Sequence, residues 1–147
     1  MDKRQIRAFR KTVYDSYRAG GRQFPWRQAS DPYRILVSEV MLQQTQTDRV
    51  LPKHEEFVRQ FPDLSALAAA PLADVMRAWQ GLGYNRRALA LWRAAQAVEA
   101  DCHGRLPASV DKLLALPGVG NYTARAVAAF AYNQPTVFIE TKLFRHN

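Results

Sequence analysis

Apolar residues recur along this chain at the three- to four-residue spacing that is typical of amphipathic helices. The first such stripe ends before Gly20-Gly21 and consists of Ile6, Phe9, Val13 and Tyr17. No stretch alternates between apolar and polar residues as a half-buried strand does. The pattern therefore predicts an all-α fold in a single domain, residues 1–147, with an N-terminal helix within residues 1–22.

Capping residues and helix breakers divide the rest of the chain into further helices. Ser30 or Asp31 can cap a helix that has Pro32 in its first turn. Apolar residues lie nearly all round this helix, so we expect it to be buried at the centre of the fold. Later helices are predicted over about residues 48–61, 64–69, 71–79, 85–100, 110–116 and 122–132.

The charge balance changes the picture from a generic helical domain to one with a polyanionic partner. The chain has 21 Lys and Arg against 13 Asp and Glu, a formal net charge of +8. Nucleic acid is favoured over an acidic membrane surface, although a basic surface also serves general solubility. No apolar run approaches the roughly 20 residues of a membrane-spanning helix. The start does not resemble a signal peptide, so we expect a cytoplasmic protein in a bacterium or a nuclear one in a eukaryote.

The most specific local motif is the segment Leu116-Pro117-Gly118-Val119-Gly120, which joins two predicted helices. Glycine adopts positive φ and lets another backbone approach closely. The N–H groups that begin the second helix, together with its dipole, suit a phosphate oxygen. Such contacts position DNA without reading its sequence. The motif thus predicts backbone contacts by Pro117, Gly118, Val119 and Gly120; an ordinary turn between packed helices is the alternative.

These features, in their order, resemble the helix-hairpin-helix glycosylase superfamily, which includes endonuclease III, and more closely its MutY-type adenine glycosylase branch. The segments that carry the resemblance are Phe24-Pro25-Trp26-Arg27, Asp31-Pro32-Tyr33, residues 38–45, residues 79–84, and residues 116–120 with Tyr122-Thr123-Ala124. The resemblance covers about residues 23–140. It implies the six-helix module of that superfamily, acting on double-stranded DNA with a mismatched base, and it places Thr123 among the DNA-binding residues.

Glu39 is the candidate general acid. It lies in the most apolar helix, one turn from Ile35 and Leu36. A carboxyl group desolvated there should have a raised pKa and stay protonated near neutral pH, as a general acid requires. The resemblance implies that Glu39 protonates N7 of a flipped adenine and so makes the base a leaving group. A structural glutamate paired with Arg34 is the alternative.

The resemblance assigns two further catalytic positions. Glu140 stands where the family has an aspartate beside the sugar, which stabilises the oxocarbenium-like charge or bonds to it transiently. Here the side chain is one methylene longer, and a surface carboxylate is the alternative. Tyr122 occupies the place of the Schiff-base lysine in bifunctional relatives, and a phenol cannot form that imine. We therefore expect hydrolysis without strand cleavage, with Tyr122 either reaching the site or packing on the hairpin.

Enzymes that act on a base take it out of the stack and fill the gap. By resemblance, Gln44 and Tyr84 wedge beside the lesion, and Gln43 is a candidate for recognising the flipped base. Arg86 and Arg87 begin a helix after this loop and are candidates for phosphate contact. The alternatives are a solvated helix end for the glutamines, a core ring for Tyr84 and a solvated face for the arginines.

The resemblance also concerns bound groups and the end of the chain. Relatives hold a monovalent cation on hairpin carbonyls, which here would be those of Leu114, Leu116 and Val119. They usually carry a [4Fe-4S] cluster on four cysteines. This chain has one, Cys102, so we expect no such cluster in it. Residues 142–147 do not resemble the family, and we expect a C-terminally truncated chain that also lacks the recognition domain for oxidised guanine.

Three functions follow from these residues. The first is excision of adenine opposite guanine or 8-oxoguanine. The second is excision of uracil or thymine from mismatches by the same fold, and the third is DNA binding without catalysis. In relatives the later helices help to cover the apolar stripe of the first helix. Exposed stripes promote association, so we expect this chain to self-associate.

Overall fold

The computed structural model describes residues 4–5, 31–43 and 45–132. From residue 31 onwards its helices are α1 (Pro32–Leu42), α2 (Thr47–Gln60), α3 (Leu64–Ala69), α4 (Leu72–Ala78), α5 (Arg86–Cys102), α6 (Val110–Leu114) and α7 (Asn121–Tyr132). These residues contain no strand, which confirms the all-α prediction. None of the described helices is both long and apolar enough to cross a bilayer. The apolar stripe of residues 6–17, Gln44, Glu140 and residues 142–147 lie outside the described part of the chain.

Helix α1 begins where the sequence predicts and lies at the centre of the fold. The Asp31 carboxylate accepts a hydrogen bond from the Tyr33 amide at 3.0 Å, and Pro32 occupies the first turn. Its buried residues are Tyr33, Ile35, Leu36, Val37, Ser38, Glu39, Val40 and Met41. The helix packs against α2, α5 and α7. Burial on every side is the outcome expected for a helix that is apolar all round.

Helices α3, α4 and α5 pack together beside this centre. Trp79, at the end of α4, is fully buried and meets Phe57 of α2 edge to face, with ring centroids 5.8 Å apart. The indole of Trp92 on α5 donates to the Ala70 carbonyl at 3.0 Å, which links α5 to the segment between α3 and α4. These contacts fix the two ends of the loop that joins α4 to α5.

The hairpin formed by α6 and α7 begins at a serine cap. The Ser109 hydroxyl accepts from the Lys112 amide at 3.3 Å. Helix α6 ends at Leu114, two residues before the predicted end. Proline disfavours the helical conformation in the residue before it, so Pro117 acts on Leu116. After Leu114 the chain forms a 3₁₀-type hydrogen bond, in which the Leu116 amide donates to the Leu113 carbonyl at 3.1 Å.

A buried histidine ties α2 to α1. The Nε2 atom of His54 donates to the Arg34 carbonyl at 2.9 Å, and the ring is almost fully enclosed. Burial lowers the pKa of His54, and the charge of Arg34 lowers it further, against an opposing effect of the hydrogen bond. The folded protein therefore holds this ring in its neutral form.

We expect the free energy of unfolding to fall as the pH is lowered from 7.5 through about 6.5, the ordinary histidine pKa. In that range the unfolded chain binds a proton at residue 54 while the folded chain resists it, so the unfolded state gains protons and stability. Urea midpoints between pH 7.5 and 5 measure the effect. His54→Gln keeps a donor for the Arg34 carbonyl without titrating there and should flatten the profile. The exposed His103, changed to Gln, is the control. A profile that His54→Gln leaves unchanged contradicts this account.

Candidate functional site

The loop between α4 and α5, residues 81–84, presents an aromatic ring to solvent. Its backbone has positive φ at Gly81 (94°), Gly83 (73°) and Tyr84 (50°). The side chain of Tyr84 is 61% exposed, which excludes the alternative of a core ring. A bulky residue in the left-handed region is held at a cost of roughly 1–2 kcal/mol, and such strain clusters at functional sites. The ring thus protrudes into solvent, and its predicted role as a wedge in DNA stays a prediction.

Side chains from outside the loop hold its backbone in this conformation. The carbonyls of residues 81, 82 and 83 each accept a hydrogen bond. Arg49 donates to the first, Thr45 donates to the second at 3.3 Å, and the Trp79 indole donates to the third at 3.2 Å. The loop is therefore pinned on three successive residues.

Arg87 supplies a further set of contacts between this loop and α1. Its Nη1 atom donates to the carbonyls of Val40 at 2.7 Å, of Met41 at 2.9 Å and of Gln43. Its Nη2 atom donates to the Thr45 hydroxyl at 2.8 Å. The guanidinium is thus occupied by protein acceptors, which does not fit the predicted phosphate contact by Arg87. Its neighbour Arg86 is exposed and stays a candidate for that contact.

Gln43 and Thr123 meet although 80 residues separate them in the sequence. The side-chain amide of Gln43 donates to the Thr123 hydroxyl at 2.7 Å, which joins the end of α1 to the first turn of α7. Thr123 is only 1% exposed. The prediction that Thr123 contacts DNA therefore needs correction, because the enclosing residues separate its hydroxyl from solvent. In this structure the threonine holds Gln43.

Glu39 lies in the buried part of α1, one to four residues before the carbonyls that Arg87 contacts. It is 1% exposed, as the apolar pattern around it predicts. Removal of a carboxyl group from water disfavours its charged form. Tyr122, in the first turn of α7, is half-buried. Their partner in the sequence-based site, Glu140, lies outside the described residues, so its distance from Glu39 stays a matter of prediction.

The hairpin turn places helix-start amides at the surface. The first hydrogen bond of α7 runs from the Ala124 amide to the Gly120 carbonyl at 2.9 Å. Asn121, the first residue of α7, precedes that bond and is exposed at the start of the helix. Pro117, Gly118 and Gly120 are exposed, whereas the Val119 side chain is buried. The exposed face of the turn suits an anion such as a phosphate.

The predicted cation site involves carbonyls of the same turn. The Leu116 carbonyl accepts from the Val119 amide at 3.2 Å, which leaves its second lone pair for an ion. Oxygen ligands suit a hard cation, so this part of the turn fits the expected ion. Among the described residues, no three His, Cys, Asp or Glu side chains come together as metal ligands.

Gly118 brings the hairpin against α5. Its φ is +71°, and a Cβ atom added there would lie 2.3 Å from the Cβ atom of Ala90. A cavity of about 200 Å³ opens beside this contact, between α1, α5 and the hairpin. Leu36 and Val40 line its α1 wall, and Gln43 and Arg87 lie at the same cavity. The turn, the end of α1 and the start of α5 thus meet in one place.

Residues 37–146 match the family model described as HhH-GPD superfamily base excision DNA repair protein. This chain belongs to the HhH-GPD superfamily. The match confirms the resemblance seen in the sequence. HhH-GPD membership also accounts for the order of the features above, with the α1 carboxyl first, the aromatic loop next and the hairpin last.

Two curated HhH-GPD relatives show how the chain compares with whole enzymes. The adenine DNA glycosylase of Mycobacterium tuberculosis (strain ATCC 25618 / H37Rv) is 47% identical over 130 residues, which are 88% of this chain and 43% of that protein. The thymine-DNA glycosylase of Aeropyrum pernix is 37% identical over 147 residues, which are 99% of this chain and 66% of that protein. The chain therefore spans less than half the length of the mycobacterial relative.

Solved structures show the same architecture. A thermostable thymine-DNA glycosylase superposes with a TM-score of 0.71 at 31% identity, over 92% of this chain and 62% of that one. A trapped endonuclease III–DNA covalent intermediate gives a TM-score of 0.72 at 22% identity, over 99% and 68% of the two chains. The second likeness concerns the fold alone.

The contact between Gly118 and Ala90 yields a stability test. Gly118→Ala should lower the free energy of unfolding by more than the roughly 1–2 kcal/mol of left-handed strain, because the new methyl group also overlaps Ala90. Ala90→Gly alone should cost about 1 kcal/mol of helix propensity. In the double variant the overlap is gone, so its loss should be smaller than the sum of the two single losses. Denaturant unfolding of all four proteins measures this coupling, and strict additivity argues against the close approach.

Proposed function

We propose that this chain carries the catalytic module of a base-excision DNA glycosylase that removes adenine mispaired with guanine or 8-oxoguanine. The observation that carries the proposal is a carboxyl group, Glu39, buried in the central helix, whose C-cap residue Gln43 is joined through Arg87 to the exposed Tyr84 loop. The 47% identity to an adenine DNA glycosylase supports the choice of base.

The DNA would be held by its backbone. The exposed hairpin turn offers backbone amides at the start of α7 to one phosphate, and Arg86 offers a charge near the wedge loop. When bound, a monovalent cation on the carbonyls of Leu114, Leu116 and Val119 would add positive charge at the same turn. These contacts do not depend on base sequence, and affinity should fall steeply with salt.

The wedge and the acid would then act on one nucleotide. Tyr84 and Gln44 enter the duplex, the target base leaves the stack, and Gln43 meets the flipped base. Glu39, kept protonated by burial, donates its proton to adenine N7. The bond from the sugar C1′ to adenine N9 breaks, and its electron pair goes to the protonated base. Glu140 stabilises the positive sugar until water adds and leaves an abasic site.

A second candidate substrate is thymine or uracil in a mismatch. The relative from Aeropyrum pernix, a thymine-DNA glycosylase, matches 99% of this chain. Both substrates require the same fold, hairpin and wedge, so the distinction depends on the base that is released. Single-turnover release from duplexes containing A·G, A·8-oxoguanine, T·G or U·G separates the two. Release from T·G alone would reject adenine as the substrate.

Glu39→Gln should reduce single-turnover base release by at least the ~100-fold that is typical of a lost general acid. The amide keeps the shape of the side chain but has no transferable proton. DNA affinity should change little, because the phosphate contacts come from the hairpin. The exposed Glu55 on α2, changed to Gln, is the matched control and should keep the wild-type rate. Wild-type release by Glu39→Gln would reject Glu39 as the acid. DNA binding with no base release from any duplex would instead favour a binding module.

Borohydride trapping tests the absence of a Schiff base. With an abasic duplex, the wild-type chain should give no covalent adduct, because residue 122 is a phenol. Tyr122→Lys places an amine there and should give a trapped adduct, whereas Tyr122→Phe should not. Denaturing gels of the protein–DNA mixtures measure the adduct, with endonuclease III as the positive control. An adduct with the wild-type chain would contradict hydrolysis without an imine.

A further inference from the structure

Arg87 contacts the end of α1 and the loop of residues 81–84, the two parts of the structure that are proposed to meet the target nucleotide. The proposed chemistry assigns no role to Arg87. We propose that Arg87 is a positioning residue that fixes Gln43 and Tyr84 relative to each other, so that the wedge and the base-recognising side chain enter DNA in register. This inference rests on the proposed function. It goes beyond that function by assigning the relative placement of the two side chains to a single guanidinium.

On the α1 side, Arg87 acts on the end of the helix. The last carbonyls of a helix have no partner within it, and a positive charge is favourable at that end. The Nη1 atom of Arg87 donates to the carbonyls of Val40 and Met41 in the last turn and to that of Gln43, the residue after the helix. The Val40 carbonyl also accepts from the Gln43 amide at 3.3 Å. The backbone of Gln43 is therefore held by Arg87, while its side-chain amide is held by Thr123 at 2.7 Å.

On the loop side, the same guanidinium reaches the backbone and the ring. Its Nη2 atom donates to the carbonyls of Leu82 at 3.4 Å and Gly83 at 3.3 Å. Its central carbon lies 5.6 Å from the centroid of the Tyr84 ring and 5.5 Å from that of Trp79, both within cation–π distance. The strained residue that carries the wedge is thus bound to Arg87 through its neighbours and through its ring.

Lysine cannot replace these contacts, although it keeps the charge. The planar guanidinium has two terminal nitrogens, one facing α1 and one facing the loop, whereas lysine has a single ammonium. Burial lowers the pKa of Arg87, but arginine remains charged at neutral pH. Arg87→Lys therefore separates the role of the fork from the role of the charge.

Hydrogen exchange of the free chain tests the inference without DNA. In Arg87→Lys, the Leu82 amide, which donates to the Trp79 carbonyl at 3.2 Å, should exchange at least ~10-fold faster, because the loop opens locally when its restraints are lost. The amides of residues 124–130 in α7 should be unaffected. Arg93→Lys, at an exposed position of the same helix, is the control and should match the wild type. An unchanged loop overturns the inference, and so does an equal acceleration throughout the chain, which indicates general stabilisation only.

A milder variant guards against loss of folding. Thr45→Val removes the hydroxyl that accepts from Nη2 of Arg87 and donates to the Leu82 carbonyl. It should accelerate exchange in the same loop by a smaller factor. No acceleration in Thr45→Val, with Arg87→Lys unfolded, would also overturn the inference.

A fluorescent duplex with 2-aminopurine at the target position tests the consequence for DNA. Arg87→Lys and Tyr84→Ala should each reduce the fluorescence gain on binding, and the double variant should lose no more than the larger single effect. Affinity measured by anisotropy should fall no further in Arg87→Lys than in Tyr84→Ala, because the hairpin is unchanged in both. Additive losses would show that Arg87 does not act through Tyr84. No DNA binding by the wild type would instead reject the proposed function and leave the exchange result to decide the role of Arg87.

Discussion

The burial of α1 on all sides is the constraint on which the rest of the structure depends. A helix enclosed by α2, α5 and α7 cannot turn about its axis without exposing apolar side chains, so each of its residues has a fixed surrounding. Glu39 lies in this rigid setting, and its carboxyl group is removed from water by the packing of the domain. The proton donation proposed for Glu39 thus depends on the hydrophobic core, because the core encloses an ionisable group at a position where an apolar residue is expected.

The surface proposed to face DNA is connected to the C-terminal end of α1. The end of α1 is joined to the aromatic loop by Arg87 and to the hairpin helix by the pair of Gln43 and Thr123. Both connections use side-chain hydrogen bonds, from Arg87 to backbone carbonyls and from Gln43 to the Thr123 hydroxyl. Rigid placement before binding reduces the entropy that is lost when the complex forms. The positive φ of Tyr84 fits this picture, because a strained conformation persists only where its surroundings determine it.

The sequence predicts the helices well because their ends are marked locally. Asp31 and Pro32 define the start of α1, and Gly81 and Gly83 mark the break before α5. Helix α6 ends two residues before its predicted end, because Pro117 disfavours the helical conformation of Leu116 although the apolar periodicity continues to that residue. The same local marks predict the hairpin and the exposed wedge, which depend on backbone conformation that glycine permits.

The internal partners of the site follow from contacts that no local pattern contains. Arg87 lies 44 residues from Gln43 in the sequence, and its role depends on the way α5 approaches the end of α1. A run of two arginines after a loop is compatible equally with a phosphate contact and with a helix cap. The prediction for Thr123 has the same ambiguity, because a hydroxyl in the first turn of a helix suits a contact with DNA and a contact with a buried partner alike. Only the packing of the helices distinguishes these uses.

The contact between Gly118 and Ala90 has a consequence for how sequences with this fold can vary. The sizes of these two residues are complementary, so a larger residue at either place demands a smaller one opposite or a wider gap between turn and helix. Ala90 lies one turn after Arg87 on α5, close to the contacts that set the end of α1. A redesign that alters the volume of residue 90 would therefore shift the hairpin turn relative to the loop of residues 81–84, so the spacing between these two exposed features depends on one methyl group.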